Sequence, residues 1–257
     1  MSPTGYSIRL VKIFIGATSQ HIQGMKFYRV ILLTDSVVIY HSGMNNLDHI
    51  VVAADNLKQG VDYVRSCLGI EIPKGGFHRT MATHNHLMQL GNDAYLEVIA
   101  IDPEAEAPTR PRWFGLDDPL MRASIKQGPR LVTWVMNTAD IGEIADSAGF
   151  DIGTPTALSR DKLKWEIGLT DDGRLLAGGM LPYCIQWHST PHPSRSMANF
   201  DCLLQNLTIY HNRPRWITER LDAMGASHLV DVEAIADSET PYLSASIDTP
   251  TGKVVLT

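Results

Sequence analysis

Two polar side chains stand in this sequence where aliphatic ones would be expected. In "LDHIVVAA" (Leu47–Ala54), strict alternation puts His49 on one face with Leu47, Val51 and Ala53. It puts Asp48 on the other face with Ile50, Val52 and Ala54. In "AYLEVIAID" (Ala94–Asp102), Glu97 shares a face with Tyr95 and Ile99. A carboxylate or imidazole among aliphatic groups is costly to bury unless it is paired or bound to a cation. An imidazole nitrogen beside a carboxylate oxygen forms part of the coordination shell of a divalent metal such as Zn, Mn, Fe or Ni. The competing reading is a buried hydrogen-bonded pair without metal.

Further candidates surround this pair. His84 and His86 in "HNHLMQLG" (His84–Gly91) alternate onto one face of their strand and are candidates to complete the site, the alternatives being a second subunit or no completion at all. His84 is expected to act with Glu97 as a catalytic group, and His86 to line the pocket. Arg112 in "RPRWFGLD" suits either bidentate contact with an anionic substrate or a surface salt bridge. Gln186 and His188 lie close to the strand expected to carry the second half of the site, on faces the pattern leaves open. His188 and His192 in "HSTPHP" read as loop histidines. Trp113 and Phe114 read as a packing plug, and Trp165, Tyr183 and Trp187 as either cup lining or core.

These residues need elements to position them, and the chain offers a repeating order. "LDHIVVAA" is followed by "DNLKQGVDYVRSCLGI", whose Leu57, Val61, Val64 and Leu68 recur at helical spacing. Asp55 or Asn56 can cap its start, and Gly69 lies near its end. After "KGGFH" come two strands joined by the turn sequence "GND". Strand then helix recurs in "RLVTWVMNTADIGEIADSAG" (Arg130–Gly149), with closing strands "DKLKWEIGL" and "LPYCIQWHSTP". Laying Leu47 on Leu131 puts Thr133 where His49 stands, and matching the two Pro-terminated ends puts Ile185 on Glu97. A shorter third copy is expected over Leu203–Thr257, with Asn206 at the position of His49.

The expected fold is therefore α+β: repeated βαβββ modules forming curved, cup-shaped mixed sheets with helices on the outside. Residues 1–43 are expected to be an N-terminal extension, poorly ordered or not part of the domain, with an organellar presequence as the other reading. The domain would span 44–257, with modules at 47–103, 130–191 and 203–257. "VILLTDSVVIY" (Val30–Tyr40) is too short for a membrane span.

Composition narrows the partners. A net charge of −6 on 257 residues argues against a surface built to hold nucleic acid or anionic lipid. Cys67, Cys184 and Cys202 lie far apart without CxxC spacing and read as reduced thiols, which suits a cytoplasmic location. A small-molecule substrate is the expected partner, with a homodimer as a further expectation.

"LDHIVVAADNLKQGVDYVRSCLG" followed by "THNHLMQLGNDAYLEVIA" resembles a glyoxalase-like domain of the vicinal oxygen chelate superfamily. "GGFH", "RPRWFGLD", "LPYCIQW" and "TPHP" extend the resemblance over nearly everything from Leu47 to the C-terminus. It implies that a first-strand histidine and a fourth-strand glutamate bind a metal that chelates neighbouring substrate oxygens. His49 and Glu97 fall on those positions. The implied function is a metal-dependent lyase, isomerase or dioxygenase acting on a small substrate with vicinal oxygens. The chain departs from the pattern in its second module, where Thr133 and Ile185 are poor ligands. That departure favours the alternative, a metal-free binding or sequestering protein of the bleomycin-resistance type.

Overall fold

The computed structural model describes residues 29–33, 36–40, 45–91 and 93–257, in two units divided after His41. In the first unit, β1 (Arg29–Leu33) and β2 (Ser36–Tyr40) pair antiparallel with Arg29 opposite Tyr40. The expectations for the rest of residues 1–43 fall outside the described residues.

The second unit opens with a βαβββ module: β3 (Asn46–Ala53), α1 (Leu57–Leu68), β4 (Lys74–His78), β5 (Thr83–Gln89) and β6 (Tyr95–Ile101). The Asn56 side chain accepts from the Gln59 N–H at 3.0 Å and starts α1, and Gly69 at φ 72° ends it. Val61, Val64 and Leu68 bury the inner stripe of this helix. Gly60 lets it sit close to the sheet: a Cβ there would lie 2.4 Å from Val98 Cγ1. A helix not foreseen from the sequence, α2 (Pro119–Gln127), follows the Trp113–Phe114 segment and is capped by Asp118. The second module is β7 (Arg130–Asn137), α3 (Ile141–Ser147), β8 (Thr154–Arg160), β9 (Leu163–Leu169) and β10 (Tyr183–Trp187).

The two modules share one curled eight-stranded sheet in the order β4-β5-β6-β3-β7-β10-β9-β8. Its two halves mirror each other about the antiparallel β3–β7 pair. The register shows how closely. His49 opposes Val135 and Val51 opposes Thr133, and each pair becomes the other under the shift that lays Leu47 on Leu131. The register breaks obey the same shift. Asp48 is the extra residue between Leu47 and His49, and Val132 is the extra residue between Leu131 and Thr133.

This register corrects one sequence alignment. Val51 pairs with Glu97 and its counterpart Val135 pairs with Tyr183, so Tyr183, not Ile185, occupies the position of Glu97. Matching the proline-terminated ends misplaced it because the loop after each strand differs in length.

The convex face of the sheet packs Ile50, Val52, Val98 and Trp134 against α1, α3 and the C-terminal region. The concave face gathers Val51, Ala53, Ile99, Val135, Ile167, Tyr183 and Ile185 with Trp113 and Phe114. The C-terminal elements are β11 (Leu203–His211), α4 (Pro214–Ala223), β12 (Asp231–Ala234), β13 (Tyr242–Thr249) and β14 (Gly252–Leu256). They repeat the βαβββ order but not its topology. Their sheet runs β12-β11-β13-β14, with β11 parallel to β12, whereas the first module pairs its opening strand with its closing one. The short return after α4 sets β12 directly beside β11. Asn206 bonds Thr208 and Asp231 there and takes no part in the concave face.

Candidate functional site: a polar hollow in the curled sheet

His49 and Glu97 converge. Both point into a hollow on the concave face, His49 Nε2 lying 3.5 Å from Glu97 Oε2, and each residue is only 4% exposed. Their strands are parallel neighbours, and His49 stacks on the Tyr95 ring at 4.4 Å between centroids. The hollow has about 40 Å³ of free volume, room for a few waters, and its walls include His78, Asn85, Arg160, Trp165 and Trp187.

Asp48 lies behind His49, contrary to the face that alternation assigns it. The bulge at Asp48 breaks the period-two pattern and lets both neighbouring side chains meet. The His49 Nδ1–H donates to Asp48 Oδ1 at 2.6 Å. Asp48 Oδ2 accepts from Trp187 Nε1 at 2.7 Å and from His192 Nε2 at 2.9 Å. With Nε2 donating, His192 Nδ1 accepts from the Ser194 hydroxyl at 2.8 Å. A carboxylate on Nδ1 fixes the ring and leaves Nε2 facing the hollow.

Glu97 is held from its other side. The Gly76 N–H donates to Asn85 Oδ1 at 2.8 Å, which orients the amide so that Asn85 Nδ2 donates to Glu97 Oε1 at 2.6 Å. Burial would raise the Glu97 carboxyl, but the bonds from His49 and Asn85 and the charge of His49 prevail and lower it. Burial likewise opposes the charge on His49, yet the bonds to Asp48 and Glu97 raise it to about 9. Asp48 falls below the usual carboxylate range because the His192 and His49 bonds outweigh its burial. His78 behaves oppositely: burial, reinforced by the nearby Arg160 charge, lowers it to about 4 against the pull of Glu97. At neutral pH the pair is thus imidazolium and carboxylate, beside a neutral His78.

Several residues expected at the site lie elsewhere. His84 and His86 do share a face, but it is the convex one, because they pair with Ala100 and Val98. His86 Nδ1 meets the Ile72 carbonyl at 2.6 Å, and His84 lies 4.0 Å from Asp102. Asn85 and Leu87, between and beside them, face the hollow instead. Arg112 is tied to Asp117 at 2.6 Å, Gln186 accepts from the Ile141 N–H at the start of α3, and His188 pairs with Glu166 near the surface. The sequence reading missed His78, Asn85 and Arg160. "GGFH" and "THN" marked the first two as a family likeness, and nothing in the pattern singled out Arg160.

The donor set does not fit a divalent cation on this chain alone. His49 Nε2 and Glu97 Oε2 have a separation close to the edge of a tetrahedral shell, about 3.4 Å for bonds near 2.1 Å. The dyad-related positions add nothing: Thr133 is a weak donor, and the Tyr183 hydroxyl is committed to the Arg174 carbonyl at 2.6 Å. Among the described residues no group of three or more His, Cys, Asp or Glu is placed to hold a metal. The Arg160 guanidinium beside His78 adds unfavourable positive charge.

The family model described as "Glyoxalase-like domain" matches residues 47–225, well over half of the chain. The chain belongs to the glyoxalase-like domain family. Its paired βαβββ modules are the fold of the vicinal oxygen chelate superfamily. Among solved structures, a hypothetical protein from Staphylococcus aureus is similar at TM-score 0.52 and 13% identity, covering 83% of this chain and 84% of that one. This glyoxalase-like chain is less similar to 4-hydroxymandelate synthase from Streptomyces coelicolor (a mutant), at TM-score 0.44 and 15% identity over 82% of this chain and 62% of that one. Methylmalonyl-CoA epimerase from Mycobacterium tuberculosis follows at TM-score 0.38 and 17% identity, over 58% and 91% respectively. No curated protein matches the chain.

Proposed function

We propose that this glyoxalase-like protein is an enzyme that moves a proton on a small carbonyl-bearing substrate, with His49 and Glu97 as the working pair. The observation that carries the reading is their convergence in a walled hollow, each fixed from behind by a dedicated residue, Asp48 or Asn85. A structural ion pair needs no empty space beside it; this one borders a hollow.

A substrate carbonyl entering beside His49 would take the place of its long contact with Glu97. The Glu97 carboxylate then removes the proton from the adjacent carbon; that C–H bond breaks and an O–H bond forms on Glu97. The electron pair moves into the enolate oxygen, where the His49 imidazolium N–H stabilises it. Returning the proton from Glu97 to a carbon or to the enolate oxygen completes an isomerisation. If instead the substituent on the next carbon departs with its bonding electron pair and takes up the proton held on Glu97, the reaction is an elimination. Asp48 and Asn85 keep both groups aimed.

The metal-dependent form of this chemistry expected from the family resemblance requires donors beyond His49 and Glu97. The second reading, a metal-free binding protein, is favoured by the aromatic walls and by Thr133 and Tyr183 in the dyad-related positions. The test is solvent deuterium incorporation, followed by NMR, into a panel of small oxo- and hydroxy-acids and hydroxyketones. Chelator-treated and metal-supplemented protein are run in parallel. Exchange that survives chelation and falls about 100-fold or more in Glu97→Gln supports the proposal. Exchange only with added metal supports the metal-dependent form, and no exchange for any panel member overturns the enzyme reading in favour of the binder.

A further inference from the structure

Arg160 lines the hollow, and among the described residues no carboxylate lies within ion-pair distance of its guanidinium. It ends β8, one edge of the eight-stranded sheet, and lies across β4, the other edge. The sheet curls until these edges approach: a Cβ on Gly76 would fall 2.8 Å from Arg160 Nη1 and 3.1 Å from its Cδ. Glycine at 76 is thus what allows the guanidinium to lie over the β4 backbone. Its protein hydrogen bond is to His78, with Nη1 donating to Nε2 at 3.4 Å. His78 Nδ1–H then donates to Thr83 Oγ1 at 3.0 Å, which fixes the ring with its acceptor nitrogen toward the arginine. Arg112, by contrast, pairs with Asp117, Arg174 with Asp172 and Asp151, and Arg195 with Asp93.

Arg160 also lines two spaces at once. One is the inner hollow with His49 and Glu97; the other is an outer groove of about 420 Å³ bordered by Phe77, Arg79, Leu158 and Trp165. Trp113 lines both as well. It is 4% exposed, and its indole Nε1–H has no partner among the described residues. A guanidinium with unused donors and a buried unpaired N–H together describe a site lacking an oxygen acceptor.

We propose that Arg160, with Trp113, binds a carboxylate of the substrate where the walls of groove and hollow meet, so that the enzyme acts on a small organic acid. The planar fork of arginine matches a carboxylate in two parallel hydrogen bonds. His78, which accepts from one donor without carrying charge, orients the fork without competing for the anion. A small acid held there places the carbons next to its carboxylate toward His49 and Glu97. The inference rests on reading the hollow as the working site, but anion binding can be measured whether or not turnover is found.

The experiment measures binding by thermal shift and calorimetry with pyruvate, lactate, malonate and benzoate as carboxylate probes. Hydroxyacetone and benzyl alcohol serve as uncharged counterparts, and inorganic phosphate and sulfate as other anions. The expected result is saturable binding of at least one carboxylate but not its uncharged counterpart. Affinity should fall about ten- to a hundredfold in Arg160→Gln, fall less in Arg160→Lys, and be kept within about threefold in Arg174→Gln, an exposed arginine already paired with Asp151 and Asp172. Arg160→Lys also guards against misfolding of the glutamine variant, with circular dichroism checking both. No carboxylate binding, undiminished binding in Arg160→Gln, or preference for uncharged probes or inorganic anions overturns the inference. Carboxylate binding without any deuterium exchange leaves the inference standing and removes the enzymatic reading.

Discussion

Asp48→Asn is the sharpest perturbation of the hollow, because it keeps the shape of a fully buried side chain and removes only its charge. Asp48 accepts three hydrogen bonds: His49 on Oδ1, and Trp187 and His192 together on Oδ2. The amide oxygen can still serve Trp187 and His192, both obligatory donors in this arrangement. Its NH2 then faces His49 Nδ1, which must give up its proton and accept. One charge-assisted bond is replaced by a weaker one, and the imidazolium loses one of the two carboxylates that offset its burial. Removing one partner of a buried ion pair costs about 3–5 kcal/mol; with the shape and two of the bonds retained, we expect about 3 kcal/mol. Urea unfolding at pH 7 measures this as a lower midpoint at unchanged slope. In parallel, His49 should titrate well below its parent value of about 9 by NMR, since burial is then opposed mainly by Glu97. A loss under about 1 kcal/mol, together with His49 still titrating near 9, would refute the account of how the hollow is held.

Two further outcomes follow from the same geometry. The histidines of the hollow should give ligand-free protein a stability maximum near pH 6.5. His49, raised in the folded state to about 9, contributes fully below 6.5 and loses that contribution as pH rises through 9. His78, lowered to about 4, contributes above 6.5 and loses it as pH falls through 4. Calorimetry across pH 4–10 checks both limbs, and a flat profile from 6.5 to 9 in the parent would contradict the assignment of His49. In Gly60→Ala, a gain of up to about 1 kcal/mol in helix propensity should be overridden by the clash of the new Cβ with Val98. A net loss of about 1–3 kcal/mol is expected in urea unfolding, and stabilisation would mean that α1 lies farther from β6.

Most strands of the two modules and the caps of α1 were legible because each is encoded locally, whereas the edge strands β4 and β8 were not foreseen. Alternation writes the two faces of β3 and β6, Asn56 and Gly69 mark the ends of α1, and the shift of Leu47 onto Leu131 survives in the register of the β3–β7 pair. His49 and Glu97 were legible for the same reason, as polar interruptions on the strand faces that turn inward. The residues that surround them were not. A single bulge reverses the side on which Asp48 lies, and a one-residue difference in phase separates the useful Asn85 from the convex His84 and His86. Periodicity records which residues share a face but not which face meets the hollow. The same limit applies to the C-terminal region, whose element order matches the modules while its strand pairing differs. What only the tertiary structure decided is the set of partners drawn from distant segments: Trp187 and His192 on Asp48, and Arg160 over Gly76 and His78. Those contacts exist because the sheet curls and closes edge toward edge. Curl accumulates from the twist of all eight strands together, so no stretch of sequence short enough to read by pattern contains it.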